Sequence, residues 1–297
     1  MTRFRGCGTA LVTPFQSDGT LDLAALRGLA DWQIREGINF LVPCGSTGEA
    51  QTLSFEERQR VVATVVETTA GRVPVVAGAT SNDTARAVEE TKAMCALGVD
   101  GILSAAPYYN KPTQAGLERH FTAIADASTR PVILYNVPSR SAVNIAPGTV
   151  LQLARHPQIA GIKEASGDLV QMMRILDRRP PGFLVLSGDD ALALPLAACG
   201  GDGLISVISN EVPRLVTRLV RLCLEGDFAA ARPLHYRLLP LIDANFVETN
   251  PAPAKCALAM MGLVQNVLRL PLVPVSESTR AMLNSALDVV GVTARAA

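Results

Sequence analysis

The sequence is short of the features that mark several large classes of protein. Lys+Arg and Asp+Glu balance at 27 each, so no net charge is available to hold nucleic acid or an anionic membrane. There is no basic run and no aromatic–basic interleaving. No apolar run reaches the length of a bilayer span, and Met1-Thr2-Arg3-Phe4-Arg5 lacks the apolar stretch of a secretory signal. A cytoplasmic location is the expectation. Histidine is scarce: His120, His156 and His235 lie far apart, and no H-E-x-x-H motif is present, so no metal is expected. Six cysteines are scattered without a C-x-x-C pair, which reads as reduced thiols rather than a disulfide or zinc framework. Low-complexity segments and flexible linkers are also missing.

What is present is apolar material in a regular rhythm. Hydrophobic residues make up 48% of the 297 and charged residues 18%, enough to bury a large core. Short apolar runs recur at 9–12, 40–43, 73–77, 101–104, 132–135, 159–163, 183–186 and 203–206. Each suits a strand buried on both faces of a parallel sheet. Helix-compatible segments lie between them, at 23–35, 84–97, 116–127 and 190–198. Ser54-Phe55-Glu56-Glu57 is a capping box opening a further helix that runs to about Thr69. Eight such runs in βα alternation predict a closed (β/α)8 TIM barrel. A doubly wound open sheet is the alternative, weakened by the lack of a G-x-G-x-x-G after the first run. Everything beyond Ser206 reads as helix: 212–225, 228–246, 254–263 and 277–290. The expected division is therefore a barrel over 1–225 and a C-terminal helical appendage over 226–297.

Active sites of such barrels lie at the C-terminal ends of the strands, and polar residues gather there. Lysine is the rarest charged residue, present only at positions 92, 111, 163 and 255. Lys163 closes the apolar run Ile159-Ala160-Gly161-Ile162. Desolvation there disfavours the ammonium form and would free an amine to attack a ketone. The plainer reading is a lysine snorkelling out of the mouth or paired with Glu164. Gly45-Ser46-Thr47-Gly48 is either a simple turn or a cradle of N–H groups and hydroxyls for a carboxylate. Tyr109 and Tyr135 are ordinary rim aromatics or proton shuttles. Arg140 is a solvated charge or a fork for a second carboxylate. Asp189-Asp190 resembles a pair of hydrolytic acids, but a cap on the next helix explains it better.

Taken in order, Gly45-Ser46-Thr47-Gly48-Glu49, Pro107-Tyr108-Tyr109-Asn110, Tyr135-Asn136-Val137-Pro138-Ser139-Arg140, Gly161-Ile162-Lys163-Glu164-Ala165 and Ser187-Gly188-Asp189-Asp190 resemble the dihydrodipicolinate synthase family. That family belongs to the wider group of pyruvate-dependent class I aldolases that includes N-acetylneuraminate lyase, and the likeness runs over essentially the whole chain. The resemblance implies that Lys163 forms an imine with pyruvate, while Ser46 and Thr47 hold its carboxylate. Tyr135 would transfer protons, and Thr47 would link it to Tyr109, which reaches into a neighbouring subunit. Arg140 would bind aspartate-4-semialdehyde, and Gly188 and Ile205 would line the pocket by the pyruvate methyl group. No cofactor is implied, since pyruvate is held covalently as a substrate. A homotetramer built as a dimer of dimers is implied, with the dimer alone as the alternative.

Two departures from the family pattern matter. Ser46 stands where many relatives carry threonine, and Gly-Ser-Thr-Gly-Glu is also the form in sialic-acid lyases. Cleavage or dehydration of a keto-sugar acid is therefore the alternative activity, although those enzymes usually lack the arginine at 140. A non-catalytic keto-acid-binding barrel is a third reading, opposed by the presence together of Lys163, Tyr135 and Arg140. Lysine-inhibited relatives place a glutamate at the position of Arg86 and a histidine at that of Phe55, so weak lysine inhibition is expected.

Overall fold

The computed structural model describes residues 2–292; Met1 and residues 293–297, the end of the expected appendage, lie outside the described residues. Eight strands form one parallel sheet: β1 (Gly6–Ala10), β2 (Phe40–Val42), β3 (Val76–Gly78), β4 (Gly101–Ala105), β5 (Val132–Asn136), β6 (Ile159–Glu164), β7 (Leu184–Ser187) and β8 (Gly203–Ser206). They are ordered β2-β1-β8-β7-β6-β5-β4-β3. The circle closes through a parallel bridge between Leu41 and Val75, with Leu41 N donating to Pro74 O and Gly78 N to Pro43 O. The expected (β/α)8 TIM barrel is the architecture found, and the doubly wound sheet is not.

Twelve α-helices accompany the strands among the described residues: α1 (Leu23–Arg35), α2 (Phe55–Thr69), α3 (Thr84–Ala96), α4 (Gln114–Ala127), α5 (Pro138–Ser141), α6 (Pro147–Leu153), α7 (Leu169–Arg178), α8 (Ala193–Ala198), α9 (Pro213–Leu224), α10 (Phe228–Phe246), α11 (Ala252–Met260) and α12 (Glu277–Val290). Local chemistry explains where many of them start. Asp22, Ser54, Asp83, Thr113, Asp168, Asp227 and Ser276 each accept an N–H of the first turn that would otherwise lack a partner. At Ser54 the full capping box is formed, with Glu57 reaching back to the Ser54 N–H. The helix after the eighth strand, α9, packs on β1 and α8 and completes the barrel's outer ring.

The core has two layers. Inward-facing residues, among them Phe40, Val42, Leu103, Ile133, Leu186 and Ile205, fill the barrel itself. A larger cluster fills the space between strands and helices. Small residues make room inside: a Cβ on Gly8 would lie 2.1 Å from the Phe40 ring, and one on Gly161 would lie 2.6 Å from Leu184 O. This explains why the first strand begins earlier than its apolar run at 9–12. Its ladder starts at Gly6, Cys7 and Gly8, and the two glycines carry no apolar signal. The third strand starts later than the run at 73–77 because Pro74 has no N–H to give a ladder.

Asp190 corrects another expectation. The cap position of α8 is Leu192, with no side-chain cap bond. The Asp190 carboxylate is instead buried, taking hydrogen bonds from the Ser206 hydroxyl and from Val207 N at 2.9 Å. It ties the end of β7 to the end of β8, and burial pushes its pKa up to about 6.

Arg269 clamps the connection after α11 to the start of α2. It donates to both Glu57 oxygens, at 2.6 and 2.7 Å, and to the carbonyls of Gly19 and Thr52. These bonds hold the Glu57 carboxyl at about 2, below its ordinary 4.5. A depressed carboxylate contributes stability that is present above its unfolded pKa and lost as pH falls toward its folded one. Thermal unfolding followed from about pH 5 to about pH 3 should therefore show a falling midpoint. Arg269→Leu should lower the midpoint at the upper pH and flatten that slope. An unchanged slope would show that this clamp is not the titrating contact.

Candidate active site

The C-terminal ends of five strands, β2, β5, β6, β7 and β8, and the loops after them converge on one cavity at the barrel mouth. The β6 ladder places Lys163 beside Tyr135 in register, and the side-chain alternation of a strand turns both inward. Lys163 is only 5% exposed. Its Nζ sits over the face of the Tyr135 ring, 4.3 Å from the centroid, as a cation–π contact rather than a hydrogen bond to the hydroxyl. The plainer readings of Lys163 fail on this geometry. The side chain does not snorkel into solvent. Glu164 points to the opposite face of the sheet, where Asn136 Nδ2, Ser166 N and Gln171 Nε2 occupy its carboxylate.

The amine opens into a cavity of about 230 Å³. Ser46, Thr47, Tyr135, Arg140, Lys163 and Gly188 all line it. Six residues singled out from the sequence, drawn from four separate loops and strands, thus meet in one place. Gly188 is packed hard against the lysine. A Cβ there would lie 2.7 Å from Ala165 Cβ and 2.9 Å from Lys163 Cε, so only glycine leaves the amine its path.

The Gly45–Glu49 turn forms the cavity wall. The N–H groups of Gly48, Glu49 and Ala50 are consumed inside it by the carbonyls of Gly45 and Ser46. Among the described residues, those of Ser46 and Thr47 donate to nothing. Two consecutive free N–H groups beside two hydroxyls are donors that an anion could use. Cys44 and Glu49 bracket the turn with left-handed backbone, at φ +56 and +51, each costing roughly 1 kcal/mol for a residue with a Cβ. The turn is therefore held in shape by its surroundings rather than by local preference.

Two expected residues do not line this cavity within one chain. Tyr109 projects from the loop after β4 with 88% of its surface exposed and a φ of +71. The loop itself is tied down on either side of it, by Tyr108 Oη to Gln51 Oε1 at 2.9 Å and Asn110 Nδ2 to Asn82 O at 2.9 Å. Within one chain Tyr109 does not reach the cavity. Ile205 is fully buried in the barrel interior below it, and Val207, two residues further along the same face, lines the cavity instead. Among the described residues no hydrogen bond joins Thr47 to Tyr135, and the Thr47 hydroxyl accepts from Asn250 Nδ2 at 3.0 Å.

Asn250 and Phe246 are the lining residues that sequence reasoning does not reach. They belong to α10 and the turn behind it, and Asn250 O also accepts from Arg140 Nη2 at 3.2 Å. The only sequence signal was an asparagine preceding Pro251 between two helices. A second cavity of about 320 Å³ adjoins the first and shares Ser46, Arg140 and Asn250 with it. Among the described residues no group of three or more His, Cys, Asp or Glu side chains is placed to hold a metal ion.

Fold and site together define a (β/α)8 barrel that presents a buried amine to a polar-rimmed cavity at the C-terminal ends of its strands. The model of the dihydrodipicolinate synthetase family matches residues 3–290, and the chain belongs to that family. It is 55% identical over 291 residues to the 4-hydroxy-tetrahydrodipicolinate synthase of Koribacter versatilis (strain Ellin345), covering 98% of this chain and 97% of that one. Among solved structures, a monomeric dihydrodipicolinate synthase variant superposes with a TM-score of 0.96 at 41% identity, covering 98% of both chains. The chloride-inhibited dihydrodipicolinate synthase of Acinetobacter baumannii, complexed with pyruvate, superposes with a TM-score of 0.95 at 41% identity, covering 97% of this chain and 99% of that one.

The contact between Gly188 and Lys163 is testable directly. Gly188→Ala should displace the amine and slow its trapping by pyruvate and borohydride about a hundred-fold, the scale of a 1 Å misplacement. Mass spectrometry of the trapped protein reads the rate. Trapping at the wild-type rate would show that the lysine has another path into the cavity.

Proposed function

We propose that this chain condenses pyruvate with aspartate-4-semialdehyde through an imine on Lys163, giving 4-hydroxy-tetrahydrodipicolinate. The observation that carries this reading is the buried Lys163 amine opening into the same small cavity as the free N–H groups of Ser46 and Thr47. A 2-keto acid needs both, an amine for its carbonyl and an anion site for its carboxylate. The likeness to 4-hydroxy-tetrahydrodipicolinate synthases, one of them solved in complex with pyruvate, supports the choice of substrate.

The chemistry follows from these groups. The amine adds to the pyruvate ketone, and loss of water leaves a protonated imine. That imine withdraws electrons, so the methyl group gives up a proton and becomes an enamine carbon. We assign proton transfer at this step to the Tyr135 hydroxyl, a reading supported by the packing of the amine against the Tyr135 ring. The enamine carbon attacks the aldehyde, and Arg140 at the rim holds the second substrate's carboxylate through its planar fork. The amine of that substrate then displaces Lys163 and closes the ring. Protons and covalent bonds balance without a metal or organic cofactor, and we assign none. The six free cysteines support a reducing, cytoplasmic setting.

Activity with pyruvate and aspartate-4-semialdehyde, measured beside a keto-sugar acid, tests the assignment. Wild type should turn over the first pair and yield a borohydride-trapped adduct, and Lys163→Ala should do neither. Cleavage of the sugar acid alone would overturn the substrate. Arg86 and Phe55 are exposed at the helices beside the mouth, and an arginine there repels the ammonium of free lysine. The same assay should keep its rate in millimolar lysine.

We further propose a homotetramer of two tight dimers in which Tyr109 completes the neighbour's site. An exposed aromatic on left-handed backbone, presented by a loop anchored on both sides, supports this. Tyr109→Phe should lose most turnover. Mixing it with Lys163→Ala subunits should restore part of that loss, because one mixed site then holds both groups. A mixture no more active than its parts would argue that each chain works alone.

A further inference from the structure

The Gly45–Glu49 turn is anchored from a direction the strands do not supply. Glu49 ends the turn and sends its carboxylate into the interior, where it forms an ion pair with Lys255 of α11. Neither side chain has exposed surface. Lys255 Nζ also donates to Val267 O at 2.9 Å and lies 4.0 Å from the centroid of the Phe15 ring. The second Glu49 oxygen accepts from Arg269 N at 3.2 Å. The ammonium is thus held by three separate segments, and the carboxylate by two. Five residues before Lys255, Asn250 holds the Thr47 hydroxyl. Lys255 N donates to Pro251 O, so both anchors belong to one rigid piece of chain.

A dry ion pair is a poor way to stabilise a fold, since apolar residues of the same volume usually do as well or better. What it does supply is a fixed direction. The turn needs one, because its two ends adopt backbone that residues with a Cβ avoid. Thr13 Oγ1 donating to Gly48 O at 2.7 Å is the barrel's own contribution to holding it.

We propose that the Lys255–Glu49 ion pair is a positioning device for substrate: by pinning Glu49, α11 sets where Ser46 and Thr47 meet the keto-acid carboxylate. This rests on the reading of Ser46 and Thr47 given above. Both residues of the pair are positioning residues, acting through the turn without touching the substrate.

The test uses full-length Glu49→Gln, Lys255→Met and the double variant, which buries no charge. Pyruvate affinity is read from the pyruvate dependence of borohydride trapping at Lys163, and KM for both substrates from steady-state rates. Each single variant should raise the half-saturating pyruvate concentration about ten-fold while the aldehyde KM stays within about two-fold. The double variant should regain the thermal midpoint that the singles lose, yet keep the weak pyruvate binding. That split separates positioning from mere support. Wild-type pyruvate half-saturation in any folded variant overturns the proposal, and if a single variant is insoluble the double variant carries the test. Ser46→Ala/Thr47→Val is the control. If it leaves pyruvate half-saturation unchanged, the carboxylate reading fails and the pair's role falls with it. If it raises it while Glu49→Gln does not, the carboxylate reading stands and the pair's role alone is wrong.

Discussion

The carboxylate of Glu164 never faces the cavity, yet the placement of Lys163 depends on it. It lies fully buried on the outer side of β6, where Asn136 Nδ2 donates to both of its oxygens and Ser166 N and Gln171 Nε2 add one bond each. Asn136 is its register partner on β5. A slip of one residue between these strands would carry the carboxylate into the barrel and strand its donors. Leaving a buried charge without partners costs several kcal/mol, roughly 3–5 where such pairs are broken. Strand alternation then does the rest. With Glu164 fixed outward, Lys163 must face inward, beside Tyr135 and against Gly188. The polar ladder outside the sheet thereby sets the Tyr135–Lys163 ladder inside it.

The depth of the site follows from the same layering. Tyr135 and Lys163 stand at the top of the barrel interior, on a floor of Ile133, Leu184, Leu186 and Ile205. An amine on that floor has apolar neighbours below, a ring face beside it and the cavity above. Glycines at 161 and 188 keep the layer open: the first yields to Leu184, the second to the lysine stem. Large residues are seated where glycines give way, which is how a parallel barrel fills its interior without voids.

How much of this could be read in advance depended on sequence distance. The βα alternation was legible because each strand and helix carries its own periodicity, and helix starts such as Ser54 carry their own caps. Lys163 stood out because a lysine ending an apolar strand is anomalous wherever it occurs. Boundaries failed where glycine or proline replaced the apolar signal, as at Gly6, Gly8 and Pro74. The short helices α5 and α6 span too few turns to show a period. Asp190 was misread because an acid before a helix is locally a cap, while its actual partners, Ser206 and Val207, lie across a crossover. The family resemblance, not periodicity, pointed to Arg140 and Gly188 as lining residues. Asn250 had no such help, since its partner Thr47 lies 203 positions away.

That last distance says what the C-terminal helices are for. Barrel strands deliver side chains to a rim, but they leave the space above the rim to water. The imine chemistry proposed for Lys163 would benefit from a mouth with a wall on its far side. Phe246 and Asn250 provide that wall. The chain that carries them continues into α11, whose Lys255 reaches back beneath the turn through Glu49. Cover and anchor are thus parts of one segment. Removing the helices to leave a minimal barrel would expose Lys163 and would also release the strained turn at Cys44 and Glu49 toward ordinary backbone. The appendage is therefore as much a part of the site as the strands are, although among its described residues only Phe246 and Asn250 line the cavity.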